Sequence, residues 1–137
     1  MNIIFAANNF EETITLPIIP AEFAGVNEPW KNQEFETMKH GTIKLIGTKG
    51  LRNLSISSFF PRKEYDFAKD KRNGMEYVQF FKRWRAKRVP IRIIITLNDG
   101  SEFINMAVTV DEFTYSLDRA EDIPYALTLS EFVFIKV

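Results

Sequence analysis

The sequence predicts a mostly β, α+β domain: an antiparallel β-barrel or two-sheet sandwich with one flanking α-helix. Three observations predict it. Apolar residues recur at every second position through most of the chain, the period of half-buried strands. One convincing stretch, near residues 75–87, carries the helical period instead. The two longest alternating runs change phase midway, as strands do when a sheet curls. With 137 residues, the chain is one domain's worth, able to bury roughly two-thirds of its unfolded surface. Residues 1–137 therefore read as a single domain.

Residues 2–6 and 11–16 read as a hairpin around Asn8-Asn9, with Ile14 and Leu16 on one face. From Pro17 to about Asn32, three prolines (Pro17, Pro20, Pro29) and Gly25 break regular structure. Connections that long are uncommon in compact domains and tend to be functional. Residues 33–46 form a second predicted hairpin, turning at His40-Gly41 where glycine permits positive φ. A turn at Thr48-Lys49-Gly50 leads into 51–59, where Leu54 and Ile56 alternate with Ser55 and Ser57. Phe60-Pro61 closes that strand, and polar residues 62–73 make a second irregular connection.

In the helix, Tyr77, Phe80, Phe81 and Trp84 fall at i, i+3, i+4 and i+7. That stripe is expected to face the domain's own sheet. Cations load the C-terminal end, where they suit the helix dipole, and Val89-Pro90 stops the helix. A β-branched strand follows over 91–97, then the turn signal Asn98-Asp99-Gly100-Ser101. Residues 103–117 and 124–137 are the last two strands, with expected bends near Asp111-Glu112 and Ser130-Glu131. The coarse order is five strands, one helix, three strands.

Composition narrows the function classes. Lys plus Arg and Asp plus Glu each total 18, so formal charge is zero, against the basic excess of dedicated nucleic-acid binders. The absence of cysteine excludes disulfides, thiolate zinc sites and cysteine nucleophiles, and is compatible with a reducing cytosol. No run approaches the length of a signal peptide's apolar region or of a membrane span. The 13 phenylalanines supply apolar area for a core or an interface.

Catalytic candidates are weak. The lone histidine, His40, sits at a turn with few partners for a relay. Ser57 and Ser58 lack a nucleophile elbow, and Gly47–Gly50 lacks phosphate-loop spacing. The carboxylate pairs Glu11-Glu12, Asp111-Glu112 and Glu121-Asp122 are neighbours that point apart in a strand. The expectation is no enzyme, no cofactor, no metal and no small-molecule substrate.

Charge distribution says more than the total. Residues 62–88 hold ten basic and four acidic groups, a local +6 that leaves −6 elsewhere. Copies of such a molecule can meet head to tail through opposite patches. The plainer reading is a solvated helix face, and a third is a nucleic-acid patch interleaved with Tyr65, Phe67 and Trp84. The candidate assembly interface comprises Arg62, Lys63, Lys69, Arg72, Lys82, Arg83, Arg85, Lys87 and Arg88, with Glu22 and Trp30 from the first long connection.

The stretch from Gly41 to Pro61, GTIKLIGTKGLRNLSISSFFP, resembles the core of a phage tail protein family. So do Lys82-Arg-Trp-Arg before Pro90-Ile-Arg-Ile-Ile-Ile-Thr, the stretch Asn105–Tyr115, and the ending Glu131–Val137. The family is the LysM-containing tail/baseplate protein of PBSX-like prophages and contractile-tailed phages of Gram-positive bacteria. The resemblance implies a phage tail-tube-like fold and a baseplate hub or tail-tube initiator subunit. Such a subunit connects hub and tube by assembling as a hexameric ring, first in the bacterial cytoplasm and then in the virion tail. The implied partners are copies of itself, the tail tube, the hub and other baseplate proteins, with no specific nucleic acid and no membrane. The family's C-terminal LysM domain is absent from these residues, so peptidoglycan binding is not assigned to them. A cell-wall-binding accessory and a nucleic-acid-binding module remain the alternatives. The first would bind sacculi, and the second would bind with an affinity falling steeply with salt.

Overall fold

The computed structural model describes residues 1–21, 23, 25–62, 68–69 and 73–135. Among them are nine strands and one helix: β1 (Asn2–Ala7), β2 (Glu12–Thr15), β3 (Val26–Asn27), β4 (Trp30–Thr37), β5 (Gly41–Lys49), β6 (Asn53–Phe60), α1 (Gly74–Ala86), β7 (Ile91–Thr96), β8 (Glu102–Tyr115) and β9 (Ile123–Glu131). The fold is mostly β with a single helix. Every strand pairing is antiparallel. Six strands precede the helix rather than five, because the first long connection contains the two-residue β3, held to β6 through Val26–Leu54 and Asn27–Asn53.

The strands form two sheets. Seven make one sheet in the order β2-β1-β7-β8-β9-β6-β3, and β4 and β5 make a separate ribbon. The larger sheet curls without closing, and β2 and β3 are its edges. The curl comes from β8. Its first half pairs with β7 and its second half with β9, and the register slips between Val110 and Glu112, the position of the expected phase change. The phase change expected in the last strand has a different cause. β9 ends at Glu131, and Phe132 continues outside it, its N–H donating to the Ala107 carbonyl at 2.8 Å.

One face of this sheet is apolar, as the alternation demands. Ile3 and Phe5, Ile91, Ile93 and Ile95, Ile104, Met106 and Val108, and Tyr125, Leu127 and Leu129 are all buried. Against them packs α1 through Tyr77, Val78, Phe80, Phe81 and Trp84, so the aromatic stripe does face its own sheet. Phe60 stacks on Tyr125 at 3.9 Å and on Tyr77 at 5.0 Å, while Phe81 meets Phe5 edge-on at 5.1 Å. Each such side chain contributes about 1.5–3 kcal/mol by leaving water. The helix starts where Asn73 Oδ1 accepts the Met75 N–H at 3.0 Å. It ends at Lys87, after which Arg88 takes φ +59° and Pro90 follows.

Candidate assembly interface

The ribbon β4–β5 stands apart from this core. Among the described residues its strands pair with each other and with no strand of the larger sheet. Cross-strand partners share a face, so the register sorts its side chains. Gln33 with Leu45 and Phe35 with Ile43 lie on one side, and Glu34 with Lys44 and Glu36 with Thr42 lie on the other. The second side is ionic, with Lys44 Nζ 3.9 Å from Glu34. The first is apolar and open to water: Phe35 is 44% exposed, Ile43 42% and Leu45 54%. At the tip Met38 is fully exposed, and His40 sits in the turn, its N–H donating to Thr37 Oγ1 at 3.0 Å.

The arm is built firmly at its base. A bulge between Lys31 and Gln33 turns the ribbon. Asn32 Oδ1 accepts the Gly47 N–H at 2.9 Å, and the Trp30 indole donates to the Gly47 carbonyl at 2.7 Å. Only glycine fits at 47, since a Cβ there would lie 1.8 Å from the Lys31 carbonyl oxygen. Below the bulge the Gly50 N–H donates to the Pro29 carbonyl at 2.8 Å. Arg52 then ties the outgoing chain to β9. Its guanidinium donates to Glu131 Oε2 at 2.9 Å and its N–H to Oε1 at 3.1 Å, while the Glu131 N–H donates back to the Arg52 carbonyl at 2.7 Å. The Arg52 hydrogen bond holds the Glu131 carboxyl below the usual carboxylate range, overcoming partial burial, with Lys49 adding a smaller attraction.

The structure divides the candidate residues read from sequence. Lys63, Arg72 and Glu22 lie outside the described residues. Arg83 bonds Glu12, which also accepts the Trp84 indole at 3.1 Å, so this pair pins α1 to the edge strand β2. Lys87 lies 4.1 Å over the Trp84 ring, and Lys82 stands 3.5 Å from the Tyr115 hydroxyl. Arg62 pairs with Glu121 at 3.6 Å, and Lys69 is exposed with its N–H on the Pro17 carbonyl at 2.7 Å. Arg85 and Arg88 are exposed and form no ion pair among the described residues. Trp30 is exposed at the arm's root and belongs to β4 rather than to a loop.

Sequence reasoning missed the arm's apolar face. The hairpin itself was legible, but Phe35, Ile43, Leu45 and Met38 look like any half-buried alternation. The available signal was β4, WKNQEFET, which is polar at most positions of both faces and so a poor wall for a core.

The carboxylate pairs do not converge. Glu12 faces Arg83, Glu11 bonds Asn8, Asp111 accepts from Thr109, and Asp122 accepts the Arg62 N–H. Among the described residues no group of three or more metal-capable side chains comes together, and no helix is long and apolar enough to cross a membrane.

No protein-family model matches the chain. It is similar to a curated protein of Bacillus subtilis (strain 168), the uncharacterized protein YqbP, with 24% identity over 129 residues. That alignment covers 89% of this chain and 55% of YqbP, so the chain spans about half the length of the relative it matches.

Proposed function

We propose that this chain is a structural subunit of a phage tail or phage-tail-like contractile particle, a baseplate hub or tube-initiator element that sits in a ring beside copies of itself. The observation that carries the reading is the β4–β5 arm. A two-stranded ribbon is marginal alone in water, and this one holds an apolar face away from its own core. Covering Phe35, Ile43, Leu45 and the tip residue Met38, each at least two-fifths exposed, contributes on the order of 4–8 kcal/mol. That roughly matches the 4–15 kcal/mol cost of bringing two proteins together. One arm contact therefore nearly breaks even. Closing a ring adds a further contact without another rigid-body cost, which favours a closed assembly over a simple pair. The curled, mostly β body with one helix agrees with the tube-like resemblance, and the open edges β2 and β3 are surfaces that ring neighbours would pair or cover. In this reading the hub, the tube and other baseplate proteins are the remaining partners.

The test is assembly of purified full chain, followed by sedimentation velocity and negative-stain imaging. Rings or multimers are expected for the wild type, together with a shift to monomer for Phe35→Ser/Ile43→Ser/Leu45→Ser at an unchanged melting temperature of the body. A wild type that stays monomeric at all concentrations, alone and with tail proteins, would refute the proposal.

A further inference from the structure

A second surface carries an inference of its own, one that rests on the self-assembly reading above. Along the chain the charges are segregated more sharply than the +6/−6 division suggests. Residues 77–92 contain six cations and no acid, and residues 93–118 contain five acids and no cation. The fold sets the basic stretch at the start of β7 and Asp99 and Glu102 at its far end, about 20 Å away along its six residues. Asp111 and Glu112 come back toward the basic end on β8, past Val108, which pairs with Ile91.

At the basic end is a notch of about 320 Å³ lined by Arg85, Arg88, Val89, Pro90, Val110 and Phe132, among others. Its rim holds the two arginines, which form no ion pair among the described residues, and Arg92, two residues past Pro90, is bonded to Asn105 at 2.7 Å. Its walls are apolar, with Val89 45% and Phe132 38% exposed. Arg88 holds a left-handed backbone, φ +59°, where glycine or asparagine is the ordinary choice after a helix. Carboxylates flank the lining in the chain: Asp111 follows Val110 and accepts from the Thr109 hydroxyl at 2.8 Å, exposed Glu112 comes next, and Glu131, beside Phe132, is taken up by Arg52 at 2.9 Å.

At the other end the β7–β8 turn has the opposite character. Asp99 and Glu102 supply the charge, flanked by exposed Leu97 and Phe103. Asp99 Oδ1 accepts both the N–H and the hydroxyl of Ser101, at 2.9 and 2.6 Å, which fixes the turn's shape. The Met1 ammonium bonds Asn98 Oδ1 there, and the two carboxylates still leave the turn net negative.

We infer that the basic notch at the end of α1 receives the acidic β7–β8 turn of a second copy. Arg85 and Arg88 meet Asp99 and Glu102, while Leu97 or Phe103 covers Val89 and Phe132. Apolar walls between the arginines suit a protein side chain better than a phosphate backbone, which is why a second copy is favoured over nucleic acid. Because donor and acceptor surfaces differ and lie at opposite ends, the contact is head to tail and repeats from copy to copy. It is distinct from the arm, so each subunit joins its neighbours through two independent contacts.

The experiment is a charge swap on the full chain, read by sedimentation velocity, with thermal melts to show that each variant folds. Arg85→Glu/Arg88→Glu should weaken self-association about tenfold or more, and Asp99→Asn/Glu102→Lys, which keeps the turn's acceptor at 99, should do the same. Mixing the two variants should recover association, since each supplies the surface the other has reversed. Wild-type association should also weaken as salt rises. Association unaffected by either variant, while the arm triple variant abolishes it, overturns this contact and leaves the assembly reading intact. A wild type that never associates overturns both. Binding of a 20-base-pair DNA duplex that is lost in Arg85→Glu/Arg88→Glu, with self-association unchanged, would identify the notch as a nucleic-acid surface and overturn the inference.

Discussion

The hairpins β8–β9 and β4–β5 are made the same way and meet opposite fates. Both alternate apolar and polar residues, both turn tightly, and both contain a register slip. In β8–β9 the apolar file, Val108, Tyr125, Leu127 and Leu129, is buried under α1 and its neighbours. In β4–β5 the corresponding file, Phe35, Ile43 and Leu45, faces water. Alternation tells which residues share a face and is silent about what that face meets. The first hairpin holds the molecule together, and the second is available to hold molecules to each other.

The strongest way to break this comparison is to truncate equivalent aromatics. Phe81→Ala removes a ring packed on Phe5, Phe60, Phe80 and Phe113, and should destabilise the chain by about 3–5 kcal/mol in urea unfolding. Phe35→Ala should change monomer stability by less than about 0.5 kcal/mol while weakening assembly. Equal stability losses would mean the arm belongs to the core.

Gly47→Ala sharpens it. The new Cβ cannot coexist with the Lys31 carbonyl 1.8 Å away, so β4–β5 pairing should fail near its bulge. Amide exchange in 30–49 is expected to rise while that of β7 stays slow. An unchanged arm would show that its base adapts.

The joint between the two regions gives a smaller effect. Glu131→Gln replaces the charged partner of Arg52 and should cost about 1–3 kcal/mol. It also predicts a pH dependence. The folded carboxyl is held low by Arg52, so its contribution is complete above the unfolded value of about 4.3. It is lost as pH falls through the folded pKa. Stability of the wild type should therefore drop more steeply than that of Glu131→Gln on acidification below about pH 4, in melts taken at successive pH values. Parallel curves would remove Glu131 from the acid response.

The smallest change concerns the buried Tyr125 hydroxyl, which has no hydrogen-bond partner among the described residues and whose pKa burial pushes up. Tyr125→Phe should leave stability unchanged or raise it by up to about 1–2 kcal/mol. A clear loss in urea unfolding would show that the hydroxyl is satisfied.

Most of the architecture was legible in local pattern. The helix was fixed by an aromatic stripe with one possible use, and the bend in β8 by the phase change at Asp111-Glu112. β3 was invisible because two residues carry no period. The end of β9 imitated a bend because Phe132 and Phe134 keep alternating beyond the strand. The basic set was read by count, whereas its consequences depend on neighbours distant in sequence. Glu12, 71 residues from Arg83, neutralises that arginine, and Arg85, two positions on, has no such partner among the described residues. The arm's role was hidden for the same reason, since exposure is a property of the whole packing.

Hydrogen exchange read by mass spectrometry, on full chain below and above the concentration at which it associates, tests the central claim most directly. The amides of 33–45 should exchange at least about tenfold more slowly in the assembled sample, with those of 91–95 slow in both. An arm that exchanges equally fast in both samples, while the protein has demonstrably associated, would contradict the account.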